Sequence, residues 1–214
     1  MRFRFALAAL LILSSFAVTA RGQFHGQGPD AGFKDTSMLK PPAGHKVALV
    51  VFEDLGCPGC AAAHPYELKA VEQTGVPLVR YDFPLAAHIW TFQGAVYARY
   101  IQDKVSPELA AQYRTDVFTS QRMIASKDDL EKFTQTWLTR HGKQMPFVVD
   151  PGGVLAKKVQ ADYELGTKMN LQFTPTVVVV TRDKYQVVCG VKDHMNPEQI
   201  LPTIQGAIAY AHGK

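Results

Sequence analysis

Residues Val47-Ala48-Leu49-Val50-Val51-Phe52 form an unbroken apolar run rich in β-branched side chains. Such a run predicts a strand buried on both faces of a sheet. Residues 57–73 follow with strong helix formers, among them Ala61, Ala62, Ala63, Leu68, Lys69, Ala70 and Glu72, and Gly75 ends the stretch. Residues 76–83 give a second strand, with Val76, Leu78 and Phe83 among its apolar members. Two strands around one helix make a βαβ unit, which is expected to be parallel and right-handed. From Leu85 to about Asn170 the period becomes helical. Ser106-Pro107-Glu108 and Ser126-Lys127-Asp128-Asp129 are helix starts, each with a cap and acids in the first turn. Leu130, Phe133, Trp137 and Leu138 mark one helical face, and Pro151-Gly152-Gly153 precedes a further stretch, 154–169. The tail predicts a strand over 177–180, a turn at Arg182-Asp183-Lys184 and a strand over 185–189. A capped last helix follows from Asn196-Pro197-Glu198-Gln199, with Ile200, Ile204 and Ile208 inward; Pro202 argues for a later start.

The amino-terminal segment follows a different logic. Met1-Arg2-Phe3-Arg4 is basic, and the apolar run Phe5 to Val18, 14 residues, is broken only by Ser14 and Ser15. Val18-Thr19-Ala20 places small residues before a cut after Ala20, so residues 1–20 read as a cleaved signal peptide. The run is shorter than the roughly 20 apolar residues of a membrane span. Residues 21–45, polar and rich in Gly and Pro, read as an extended arm. The expected organisation is residues 46–84 and 171–214 as one unit, with 85–170 as a helical insertion. Net charge is +4, and losing Arg2 and Arg4 with the leader makes it +2. That gives no electrostatic case for nucleic acid or anionic membrane as a partner. Export points to the periplasm or exterior, where disulfides persist.

Cys57-Pro58-Gly59-Cys60 directly follows the first buried strand and opens a helix. Cys57 falls at the cap, Pro58 at the first helical position where its missing N–H is harmless, and Cys60 one turn inside. Free N–H groups and the positive end of the helix dipole stabilise a thiolate on Cys57. That thiolate is the attacking species in thiol–disulfide exchange, and the less exposed Cys60 resolves the mixed disulfide. A zinc or copper site is the competing reading. It requires further ligands, and the only other cysteine, Cys189, is isolated within a strand. Pro175, in Phe173-Thr174-Pro175-Thr176, stands at a strand start. A cis Thr174–Pro175 bond would turn the chain and leave the Thr174 backbone free to pair with a substrate strand; an ordinary trans proline is the alternative.

These motifs resemble the DsbA-like thiol–disulfide oxidoreductases of thioredoxin fold. The resemblance runs from about Lys46 to the C-terminus. It rests on Val51-Phe52-Glu53-Asp54, the Cys57–Cys60 motif, His64-Pro65, Asp82-Phe83-Pro84-Leu85 with His88 after it, and Phe173-Thr174-Pro175-Thr176 preceded by Gly166. It implies an α/β thioredoxin fold, a central mixed sheet flanked by helices, with an inserted helical subdomain and Pro175 cis beside the cysteines. It also implies exchange of disulfides with unfolded exported proteins, without an organic cofactor and with a separate redox partner. No dimerisation segment is visible, so a monomer is expected.

Three positions depart from the family pattern. A buried acid often stands six residues before the first cysteine, where this chain has Val51. Two readings of Glu53 are open: it replaces that acid from the same strand face, or it is solvated. Gly59 replaces the thiolate-stabilising histidine of strong oxidants, which predicts a milder oxidant. Cys189 is either a small buried hydrophobe or a third redox thiol. His64 reads as half-exposed or satisfied by backbone. His88 is expected at the entrance to the insertion, and Trp90, Phe92, Tyr97, Tyr100, Phe133 and Trp137 in the core. Besides an oxidoreductase, two other classes fit the sequence: a thioredoxin-fold metal carrier using Cys57 and Cys60, and a chaperone-like binder.

Overall fold

The computed structural model describes residues 24–26, 32–191 and 194–213; the leader and its cleavage point lie outside the described residues. The strands are β1 (Val47–Glu53), β2 (Leu78–Asp82), β3 (Thr176–Thr181), β4 (Tyr185–Val191) and β5 (His194–Met195). The helices are α1 (Pro58–Thr74), α2 (Thr91–Lys104), α3 (Pro107–Ser120), α4 (Lys127–Arg140), α5 (Val154–Lys168) and α6 (Ile200–His212). They build a five-stranded mixed sheet of order β2-β1-β3-β4-β5, in which β1 and β2 run parallel and the other pairs antiparallel. The fold is the expected α/β thioredoxin type, with α2–α5 between β2 and β3.

Every residue of β1 is buried, as its unbroken apolar run requires. Val47, Leu49 and Val51 meet Val177 and Val179 of β3 and the inner faces of α1 and α6 through Ala70, Ile200, Ile204 and Ala207. Ala48, Val50 and Phe52 point the other way, to Phe83, Met169 and Leu171. Each fully buried aliphatic side chain here contributes about 1.5–3 kcal/mol. The helical segment has its own core of Ile101, Tyr113, Leu130, Trp137 and Leu138, and that core is continuous with Leu55, Cys57 and Cys60. The cysteine turn is thus packed between the sheet and the insertion.

Local signals set the helix ends. Ser106 accepts from the N–H groups of Glu108 and Leu109, and Ser126 from Asp129. Gly75 closes α1 in the left-handed region at φ 67°. Four details differ from expectation. β5 has no sequence signature, being two residues long. Residues 197–199 form a 3-10 turn with no side-chain cap from Asn196, and α6 begins at Ile200, so Pro202 sits harmlessly in its first turn. The arm ahead of β1 is not free: Leu39 is buried against the sheet, and the Lys34 N–H donates to the Met169 carbonyl at 3.0 Å. Phe92 is exposed rather than core, whereas Trp90, Tyr97 and Trp137 are buried.

Candidate active site

Cys57 caps α1 in extended conformation (φ −80°, ψ 121°), with Pro58 at the first helical position. Its Sγ–H donates to the Thr174 carbonyl at 3.2 Å, across the turn that precedes β3. The Thr174–Pro175 peptide bond is cis. Gly59 closes the contact from the helix side. A β-carbon there would lie 3.3 Å from Pro175 Cδ, 3.5 Å from Thr174 O and 3.6 Å from Cys57 Sγ. Cys57, Gly59, Thr174 and Pro175, 117 residues apart from cysteine to threonine, therefore share one small surface.

The two thiols are electrostatically unlike. Cys57 is pulled down to about 5, chiefly by a hydrogen bond from the Cys60 thiol. Burial opposes this, and the Thr174 side chain and the backbone N–H groups of Cys60 and Gly59 add to it. Cys60, 2% exposed, is pushed well above the ordinary thiol range by burial and then by Cys57. The Thr174 hydroxyl is buried without a hydrogen-bond partner while Cys57 is a thiol aimed at the adjacent carbonyl. Ionisation of Cys57 removes that donor, and the hydroxyl then has a sulfur anion to bond. The Thr174 carbonyl, expected to be free for a substrate strand, is thus occupied in the thiol form and released in the thiolate.

Glu53 is buried, which overturns its solvated reading, and its charge is among the groups that raise the Cys60 thiol. Its carboxylate accepts from Arg114 Nη1 at 2.8 Å and from Arg80 Nε at 3.2 Å. Arg114 also reaches Asp82 at 2.8 Å, and Arg99 joins Asp82 to Asp162. Burial works against the Arg114 charge, but Asp82 and Glu53 more than offset it. Three guanidinium groups thus face three carboxylates at the β2 edge. Glu67 is a fourth: burial pushes its carboxyl up, and its Oε2 has no hydrogen-bond partner. His64 is buried rather than half-exposed. Its Nε2 lies 2.8 Å from Thr115 Oγ1, whose own proton goes to the Ala111 carbonyl.

Among the described residues, Glu53, His64 and Glu67 bring three possible metal-ligating atoms within 4.8 Å of one another. The Arg80 guanidinium lies among them, 3.2 Å from Glu53, 3.4 Å from His64 and 3.9 Å from Glu67. A cation already fills the space, so the donor set does not suit a metal. The cysteine pair belongs to no such group of three among the described residues. Cys189 is fully buried opposite Val177, and burial raises its thiol to about 11.

Two contacts to the cysteine turn had no role assigned from sequence. Gln121 Nε2, from the 3-10 turn after α3, donates to the carbonyls of Leu55 at 2.7 Å and Cys57 at 3.0 Å. Asp54 is buried and its carboxylate meets His88 Nδ1 at 2.7 Å, while its backbone N–H points to Cys60 Sγ at 3.4 Å. Asp54 and His88 stand in the motifs around Cys57 and Pro84, which was the available signal; Gln121 stands in no such motif.

The family described as thioredoxin matches residues 41–204, and the chain belongs to it. Among solved structures, α-DsbA1 of Wolbachia pipientis is 17% identical, with 83% of this chain and 99% of that one covered and a TM-score of 0.62. ScsC of Proteus mirabilis is 18% identical over 79% and 71% of the two chains, TM-score 0.60. Reduced DsbA1 of Neisseria meningitidis is 19% identical over 80% and 89%, TM-score 0.56. These likenesses establish a DsbA-type thioredoxin fold. No curated protein sequence matches the chain. Among the described residues no helix is long and apolar enough to cross a membrane.

Proposed function

We propose that this protein is an exported thiol–disulfide oxidoreductase that passes the Cys57–Cys60 disulfide to unfolded exported proteins. The observation that carries this reading is the contrast between Cys57, held near 5, and the buried Cys60, held well above its ordinary range. A client thiolate attacks the Cys57 sulfur. The Cys57–Cys60 bond breaks, and its electron pair goes to Cys60, which takes a proton. A second client thiolate then attacks the mixed disulfide and expels Cys57 as a stabilised thiolate. The client leaves oxidised and the pair remains reduced. Thr174-Pro175 lies beside the attacked sulfur and is assigned to holding the client backbone. Exposed Ile89, Phe92, Met123 and Phe173, near His88, Gln121 and Thr174 in the chain, offer apolar contact to an unfolded polypeptide.

No organic cofactor enters this scheme; the redox-active group is the cysteine pair. A separate redox partner must reoxidise it, and the protein acts as a monomer in the periplasm or outside the cell after cleavage behind Ala20. Attacking cysteines of this class span pKa values of roughly 3.5 to 7, so a value of about 5 supports a mild oxidant. The test is exchange with a reduced, unfolded client. Cys57→Ser abolishes turnover and Cys60→Ser accumulates a mixed disulfide through Cys57. Full turnover by Cys57→Ser would overturn the reading, and stoichiometric copper or zinc retained on the cysteines would favour a carrier.

A further inference from the structure

The exchange chemistry above leaves one proton unassigned. A client cysteine reaches the site largely as a thiol, and it must lose that proton to attack. Pro58 and Gly59, between the two cysteines, offer no base. The turn just before them is built against one.

Asp54 is 1% exposed and its carboxylate is fully engaged. Oδ1 accepts from the Gly56 N–H at 2.8 Å; Oδ2 accepts from the Leu85 N–H at 2.7 Å and faces His88 Nδ1 at 2.7 Å. A carboxylate fixed in this way holds the proton on Nδ1 and leaves the lone pair on Nε2. The His88 ring is 28% exposed. It packs on Gly56, where a β-carbon would sit 3.2 Å from His88 Cβ and 3.4 Å from Cγ. Gly56 is bonded to Cys57, so the partly exposed ring packs on the backbone one residue before the attacked sulfur. The His88 carbonyl is held in turn by the Thr91 N–H at 3.2 Å and hydroxyl at 3.0 Å.

We propose that Nε2 of His88 is the base that takes the proton from the attacking client thiol, with Asp54 as its positioning residue. The proposal rests on the exchange reading given above. As the client sulfur bonds to Cys57 Sγ, its proton passes to Nε2. The Cys57–Cys60 bond breaks with its electron pair leaving on Cys60, which is protonated from water. Imidazolium returns its proton to solvent before the next cycle. The groups shown against His88 are Asp54 from the end of β1, Gly56 from the turn, Leu85 from the preceding loop and Thr91 from α2. Asp54 is the one ionisable side chain among them.

The test mixes oxidised protein with a reduced two-cysteine peptide at pH 6 and follows mixed-disulfide formation by quenched mass spectrometry. His88→Ala and His88→Gln slow the reaction roughly tenfold to a hundredfold. Added imidazole restores His88→Ala and leaves wild type unchanged. His88→Gln keeps a donor to Asp54, so its slowing separates loss of the base from loss of the clamp. Equal rates in wild type and His88→Gln, or a slow His88→Ala that imidazole does not restore, overturn the proposal. A wild-type protein that fails to react with the peptide overturns the exchange reading itself.

Discussion

The Cys57 thiol donates to the Thr174 carbonyl at 3.2 Å, and the hydroxyl of the same threonine is buried beside it without a partner. The residue therefore meets both protonation states of the sulfur, with its carbonyl for the thiol and its hydroxyl for the thiolate.

The first consequence is a titration. Absorbance of the reduced protein near 240 nm rises with a midpoint of about pH 5, and Cys57→Ser removes the step. The folded pKa lies below that of an unfolded thiol, so the thiolate stabilises the folded dithiol form. That contribution is complete above the ordinary thiol range near pH 8.5–9, shrinks as the pH falls, and is gone below about 5. Urea unfolding of the reduced protein at pH 4 and pH 8 measures it; a midpoint that does not rise with pH contradicts the assignment.

Thr174→Val removes the hydroxyl at nearly constant volume. The Cys57 pKa rises and the disulfide becomes less oxidising, by up to roughly 30 mV per pKa unit. Equilibration with glutathione reads the potential. An unchanged potential would mean that Cys60 and the helix N–H groups suffice.

Arg114→Leu strips Glu53 and Asp82 of a buried partner. Breaking one side of such a network costs about 3–5 kcal/mol, visible as a lowered urea midpoint. Arg80→Leu, at the less deeply buried end of the cluster, destabilises less.

Cys189, raised to about 11 and fully buried, resists alkylation in the folded protein. Iodoacetamide at pH 7.5 labels Cys57 first; Cys189 reacts only after unfolding, as peptide mapping will show. Its participation in a disulfide of the folded protein would contradict this.

The parts of this molecule that could be read from sequence are those whose cause is local. The β1 run, the serine caps at 106 and 126, and the Cys57 cap with Pro58 behind it each carry their physics within a few residues. The charged cluster could not be read, because Arg114 and Glu53 are 61 positions apart and an arginine on a helix is solvated by default. His64 was misplaced for the same reason: α3 covers it, and its partner Thr115 lies 51 residues on. The juxtaposition of Asp54 and His88 likewise needed the loop between β2 and α2 to fold back onto the cysteine turn.

Phe24 packs its ring on Tyr210 with centroids 5.6 Å apart, and Lys46 Nζ reaches the Ala211 carbonyl at 3.3 Å. Both contacts lie where β1 begins, and the seven residues of that strand carry the chain about 20 Å before the sulfur chemistry starts. A tether, dye or affinity handle joined ahead of Phe24 or behind Ala211 would therefore attach at the pole remote from the reactive rim. Immobilised through either end, the enzyme would still present its working face to a passing chain.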